Sequence, residues 1–396
     1  MAEHADVVVI GGGIVGVATA WALAERHAGR VLLLERNALG AGASGKSGAL
    51  VRVHYTNPHD SKLALLSLDV WRQWSERVGG PSPFSAVGFA QVVGPELVGA
   101  LERNTERLRE QGAETRVISA AELRALDPAA RVEDVGAAAY EPHGGYCDAL
   151  AAVRGFARRA RQLGAVVAEG VEARAILADG GRVRGVRTSV GDVACGAVVN
   201  AAGAWSAALL QPLGIALPVR PKPIMTHFLA WPDDAPRQHL VYIDAILGTY
   251  FRPDEGRYTL VGAPWPKTDI EPDAEPFTVE AEATEAARRT VARRLPFLER
   301  ATPSGGRHAF DGYSDDWHAI LDRDAGLEGL YLATGMSGTG FKIAPAVGMA
   351  LADLVTAGAA RDLDLRPFRL ARFAERDPIR SEVEYGTLSQ VGLRLT

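Results

Sequence analysis

The stretch VVVIGGGIVGVATAWALAERHAGRVLLLERN, Val7 to Asn37, permits few folds. Its unbroken apolar opening reads as a strand buried on both faces of a parallel sheet. Gly11, Gly13 and Gly16 follow in G-x-G-x-x-G spacing, and the Ala- and Leu-rich run from Val17 to Arg26 has good helix propensity. RVLLLE then supplies a second buried strand ending on Glu35. The economical arrangement is a right-handed strand–helix–strand unit. Each glycine has a task there: Gly11 allows the tight turn, Gly13 lets backbone approach a pyrophosphate, and Gly16 permits close helix–strand packing. The helix N-terminus favours phosphate, and Glu35 is placed to accept hydrogen bonds from ribose hydroxyls. The unit alone does not separate NAD from FAD. However, a small-residue loop, ALGAGASGKSGALVRVHY, follows where an NAD dehydrogenase would continue with regular strand–helix repeats.

The remaining 360 or so residues extend this unit to two or three domains' worth of chain. A net charge of −5 argues against a nucleic-acid partner. Two cysteines, Cys147 and Cys195, are too few for a disulfide framework and fit a reducing cytosol. MAEHAD is no secretory signal, and no stretch approaches the ~20 apolar residues that span a bilayer. The expectation is a cytoplasmic protein without a membrane partner; oligomeric state stays open. His143 and Cys147 in HGGYCD lack further ligands at metal spacing, so no metal site is expected.

The pattern along the chain implies an α/β protein of two interleaved domains. Residues 1–85, 141–216 and 300–396 form a Rossmann-like nucleotide domain, and residues 86–140 and 217–299 a mostly antiparallel sheet domain. A long helix is expected over Ser61 to Arg77, and GLYLATGMSGTGFKIAPAVGMALADLVT closes the fold as strand, glycine turn and helix.

ERNALGAGASGKSGALVR, VVNAAGAWS and GLYLATGMSGTGFKIAPAVG stand in the order found in the D-amino-acid oxidase superfamily, which the chain resembles over nearly its whole length. The nearer likeness is to the branch of glycine oxidase, sarcosine oxidase and dimethylglycine dehydrogenase. The resemblance implies FAD bound in extended form. Gly11, Gly13, Ile14, Val15, Gly16, Glu35 and Arg36 would hold its ADP half. Ala43, Ser44, Lys46, Ser47 and Gly48 would lie along the pyrophosphate and ribityl chain. Val171 would meet the adenine through its backbone, with Ala202, Gly203 and Trp205 nearby. Gly338, Thr339, Gly340, Phe341 and Lys342 would approach the flavin ring, where N–H donors at a helix start would stabilise the reduced anion. Some relatives attach flavin to a cysteine nine residues before the position of His318; Ala309 stands there, and no histidine in GASGKSG replaces it, so the FAD is expected to be dissociable.

The resemblance further implies hydride transfer from an amine C–H to flavin N5, giving an imine that is hydrolysed. The acceptor would be O2. Arg52 and Lys342 match the pair that binds the substrate carboxylate in monomeric sarcosine oxidase. His54 and Tyr55 could point into the site, and Tyr250 matches a strand whose aromatic often faces substrate. His227 and His318 read as structural. Neither Arg257 nor Lys267 matches the family's oxygen-activating lysine without a shift, which weakens the oxidase reading. The expected function is FAD-dependent oxidation of an amino acid or N-substituted glycine. The alternatives are a dehydrogenase using a quinone or electron-transfer protein, or the flavin subunit of a hetero-oligomeric complex similar to sarcosine oxidase.

Overall fold

The computed structural model describes residues 3–236, 238–263, 271–273, 278–323, 326–381 and 385. The strand Val7–Ile10 lies inside a six-stranded sheet, parallel to Ala197–Asn200 on one side and Val31–Glu35 on the other. Leu330–Thr334 and Val166–Glu169 extend the parallel set, and Ile320–Arg323 closes one edge antiparallel. Alternate residues of these strands feed two cores. Val7, Val9, Val31 and Leu33 face the helices Ile14–Glu25, Pro58–Arg72, Ala149–Gln162 and Gly340–Ala357. Val8, Ile10, Leu32 and Leu34 face a three-stranded sheet of Ala173–Asp179, Arg182–Thr188 and Gly191–Ala194. Both faces of Val7–Ile10 and Val31–Glu35 are buried, which is why these strands read as continuous apolar runs.

The second large sheet has eight strands in the order Thr302–Ser314, Val219–Ala230, Tyr258–Ala263, Thr249–Asp254, Val241–Asp244, Phe89–Val93, Ala137–Glu141 and Arg116–Ile118. Every pairing is antiparallel except that of Val241–Asp244 beside Phe89–Val93. Thr302–Ser314 pairs along nearly its whole length with Val219–Ala230. A boundary at 300 therefore parts this strand from its own sheet. It has small and polar residues where a sheet strand would alternate, so its membership is set by pairing.

Two helices differ from expectation. The opening helix runs Ile14–Glu25, beginning directly at the glycine turn. The long helix starts at Pro58, because the Asn57 side chain caps it by accepting the Asp60 N–H and proline suits the first turn. It breaks at Gln73 before a short helix, Trp74–Arg77.

The closing helix Gly340–Ala357 has the length and apolarity of a membrane span, yet 78% of it is buried inside the protein. It crosses the opening helix at Gly348, where an added Cβ would stand 2.6 Å from the backbone of Ala18. Gly348→Ala is expected to destabilise the fold by about 1–3 kcal/mol through forced helix separation. Gly99→Ala, on an exposed helical surface with only Arg103 nearby, is expected to stabilise by ~0.5–1 kcal/mol. Denaturant midpoints of the two variants check the contrast.

Candidate active site

A cavity of about 810 Å³ runs from the glycine turn after Val7–Ile10 to the inner face of the eight-stranded sheet. Its floor is backbone. A Cβ on Gly11, whose φ is +112°, would lie 2.4 Å from the Ala201 carbonyl oxygen, and one on Gly13 would lie 3.0 Å from Ser44 Oγ. Gly16 is not on the wall; a Cβ there would stand 1.9 Å from the Gly11 oxygen, so this glycine serves packing alone. A side-chain-free surface at a helix N-terminus suits a pyrophosphate. The Ser44 hydroxyl accepts the Ile14 N–H at 2.9 Å and caps that helix from across the cavity.

Glu35 accepts the N–H groups of Gly12 at 2.7 Å and Asn37 at 2.8 Å. Its two oxygens have lone pairs beyond these, so ribose hydroxyls can still donate to it. Arg36 lies 4.3 Å over the Trp205 ring and forms a two-pronged ion pair with Asp273, which also accepts the Trp205 indole N–H. Sequence reasoning had no motif for Asp273. Val171 is set back from the wall: its N–H is taken by the Glu35 carbonyl, and its neighbours Glu172, Ala173 and Arg174 line the cavity instead. Ile14, Val15, Ala43, Lys46, Ser47, Gly48, Ala202 and Gly203 all lie on the wall, as do Gly338, Thr339, Gly340, Phe341 and Lys342. These residues fit FAD, with donor-rich backbone at one end and a helix start at the other.

At that far end the Phe341 ring stacks on Trp71 at 5.7 Å, and the Trp71 indole donates to the Lys342 carbonyl at 3.0 Å. The backbone at Lys342 is thereby held. One donor of the turn is already used: Gly338 N–H binds the Asp311 carboxylate at 2.7 Å. Burial pushes the Asp311 carboxyl up, against the pull of these N–H groups and of nearby Lys342. An acid at this position was not foreseen, because nothing in HAFDGYSDD marks one residue as facing inward.

Arg52 and Lys342, distant in sequence, meet at Tyr55. The Arg52 guanidinium lies 4.3 Å and the Lys342 ammonium 5.7 Å from that ring's centre, and both cations line the cavity. Tyr250 also lines it; its ring fills the space beside Gly48 and Gly262, and burial pushes its hydroxyl up to about 12. It stays protonated at neutral pH, a donor and not a base. Arg252, which the sequence did not single out, donates to the Gly48 carbonyl at 2.5 Å and fixes the loop.

His54 does not join them. It points away from the cavity into a closed polar cluster, with Nε2 2.8 Å from the Tyr385 hydroxyl and 3.1 Å from the Asn104 amide. Residues 52–55 lie beyond the short strand Leu50–Val51 and outside regular structure, so the same-face rule for residues two apart does not hold His54 beside Arg52. Burial and the charges of Arg52 and Arg107 hold the imidazole well below its usual range. His227 pairs with Thr284 and His318 with Asp60, both in the interior, which agrees with structural roles. Arg257 is on the surface with Asp233, and Lys267 lies outside the described residues.

The chain matches the DAO family, described as FAD dependent oxidoreductase, over residues 6–354. It belongs to that family. It is similar to the glycine oxidase of Pseudomonas aeruginosa, 32% identical over 88% of this chain and 94% of the relative. It is also similar to FAD-dependent oxidoreductase domain-containing protein 1 of Bos taurus, 28% identical over 94% and 85%. The fold superimposes on L-proline dehydrogenase from P. horikoshii with a TM-score of 0.87 and 26% identity, covering 96% of this chain and 100% of that one. The chain is thus an FAD-dependent oxidoreductase, of a family with members named for the oxidation of amino acids.

Behind Arg52 sits a further acid. Glu141 is 3% exposed, accepts the Val53 N–H at 2.8 Å, and is pushed up to about 7 by burial, with Arg52 opposing the shift. Its folded value exceeds the 4.5 of the free group, so the folded protein holds the proton more tightly. That contribution to stability is present below about 4.5 and lost as pH rises through about 7. Denaturation midpoints measured across this window should fall for the native protein relative to Glu141→Gln, which cannot titrate.

Proposed function

We propose that the protein oxidises an amino acid or an N-substituted glycine, with dissociable FAD as the immediate electron acceptor and O2 as the final one. One observation supports this reading: Arg52 and Lys342 both line the cavity that fits FAD, and both lie within about 6 Å of the centre of the buried Tyr55 ring. Two cations so placed form a clamp for a carboxylate, and a guanidinium can bind it through two parallel hydrogen bonds.

Bound FAD supplies a two-electron acceptor for oxidation of an amine to an imine, which water then hydrolyses. The chain's own residues orient the amine. Arg52 and Lys342 hold its carboxylate, so the carbon beside the nitrogen is presented in one pose. Ile224, Met225, Ile243, Phe310 and Met336 give the surrounding wall an apolar surface that limits water. Tyr250, protonated and fixed against Gly48 and Gly262, closes one side. Gly338 to Lys342, at the start of the closing helix, direct a positive dipole end to the same region. Ala309 on the cavity wall has no sulfur with which to form a thioether.

Anaerobic mixing with a panel of amines should bleach the flavin of the purified protein for amino acids or N-alkyl glycines. Arg52→Ala is expected to raise KM for a carboxylate-bearing amine by ~10²-fold, from the loss of a charge-assisted pair. An unchanged KM would overturn the clamp. Denaturation in acid should release the yellow colour into the supernatant; colour retained on the polypeptide would rule out dissociable FAD.

A second reading has support in the fold likeness to L-proline dehydrogenase. Electrons would then pass to a quinone or a carrier protein instead of O2. Stopped-flow reoxidation of the reduced protein by air decides between the two: rapid return of colour favours the oxidase, and slow return the dehydrogenase.

A further inference from the structure

Lys222 also lines the cavity, and no sequence motif announces it. Lys222 belongs to Val219–Ala230, where its register partner on Thr302–Ser314 is Asp311. That acid is already engaged by the N–H groups of Gly338 and Gly312. The Lys222 ammonium instead lies 4.8 Å from the centre of the Tyr313 ring and 4.5 Å from that of Trp317. The two rings meet edge to face at 5.5 Å and 89°, forming a corner that holds it. Trp317 keeps a φ of +67°, a backbone conformation that costs energy in a bulky residue. The strained turn is tied down by the Trp317 N–H to the Ser314 carbonyl and by the Ser314 hydroxyl to the His318 carbonyl. The lysine is half-buried, and burial alone lowers its pKa, with no carboxylate offsetting that among the described residues.

A half-buried ammonium facing a cavity and seated on aromatic rings recovers only part of its lost hydration. An anion arriving in the cavity would supply the rest. Its seat adjoins the turn that starts the closing helix: a Cβ on Gly338 would lie 3.1 Å from the Tyr313 hydroxyl, and Lys342 follows four residues on. The pyrophosphate cradle of Gly11 and Gly13 belongs to a different part of the wall, at the start of the opening helix.

We propose that Lys222 is a second anion-binding pole and a specificity-determining residue, and that the substrate is an amine bearing two acidic groups. One carboxylate is held by Arg52 and Lys342, the other by Lys222. This rests on the reading of Arg52 and Lys342 as a carboxylate clamp. Candidate substrates are dicarboxylic amino acids and glycines whose nitrogen carries a second carboxyalkyl group.

The test titrates the oxidised holoenzyme with carboxylates that cannot react, followed by perturbation of the flavin spectrum. Succinate and glutarate are compared with propionate and butyrate. The diacids are expected to bind at least ~10-fold more tightly, as for an added charge-assisted contact. Lys222→Met should abolish that preference while the monoacid Kd values stay within ~2-fold, and Lys222→Arg should keep it, since a guanidinium pairs with carboxylate equally well. The proposal is overturned by equal binding of mono- and diacids, by a preference that survives Lys222→Met, or by a variant that loses FAD, which would assign the ammonium to the cofactor. It is also overturned if Lys222→Met slows only reoxidation by air. The clamp is scored separately: if Arg52→Ala leaves monoacid binding unchanged, that reading fails, whereas a Lys222-dependent preference would still stand.

Discussion

The carbonyl oxygen of Gly11 occupies space that a side chain on residue 16 would need, and the rest of the molecule is built around that contact. It brings the opening helix against the ends of Val7–Ile10 and Ala197–Asn200, whose Ala201 carbonyl presses on Gly11 in turn. Three segments of backbone therefore converge where no side chain fits. The helix N-terminus is left facing the cavity, with the Ser44 hydroxyl reaching it from the loop beyond Glu35. The closing helix uses the same device at Gly348 against Ala18. Its own N-terminus, and with it Lys342, is carried to the other end of the cavity.

Four of the cations around the cavity share a second device. Arg36 is seated on Trp205, Arg52 on Tyr55, Lys222 on Tyr313 and Trp317, and Lys342 near Tyr55. An aromatic face holds a cation in place through its quadrupole without cancelling the charge. A carboxylate would hold it too, but would spend much of the attraction that a ligand could use. Seating on rings suits a site that must receive anionic groups. Arg36 is held by Asp273 as well and lies at the exposed rim of the wall.

Much of the nucleotide half was legible because its determinants are local. The glycine spacing, the apolar strands and Glu35 lie within one short stretch, and the small-residue loop and the final glycine turn carry their own patterns. Arg52 and Lys342 were legible because each adjoins such a pattern. The sheet half was less so. Thr302–Ser314 was parted from its sheet because GGRHAFDGYS has neither clear alternation nor an apolar run, and only its pairing with Val219–Ala230 places it. Lys222, Asp311 and Asp273 sit on irregular or polar segments where spacing does not say which way a side chain points. His54 illustrates the converse: proximity in sequence to Arg52 suggested the cavity, but the side chain turns to Asn104 and Tyr385.

The sequence by itself determined the strand–helix–strand unit, the phosphate cradle and the glycine turn before the closing helix, because each depends on residues a few positions apart and on backbone that only glycine permits. The tertiary structure decided which cations share the cavity. Arg52, Lys222 and Lys342 come from a loop, a sheet strand and a helix start, and the meeting of such elements depends on sheet register and helix crossing. Those are properties of the packed whole, set by which surfaces bury one another and not by any local run of residues.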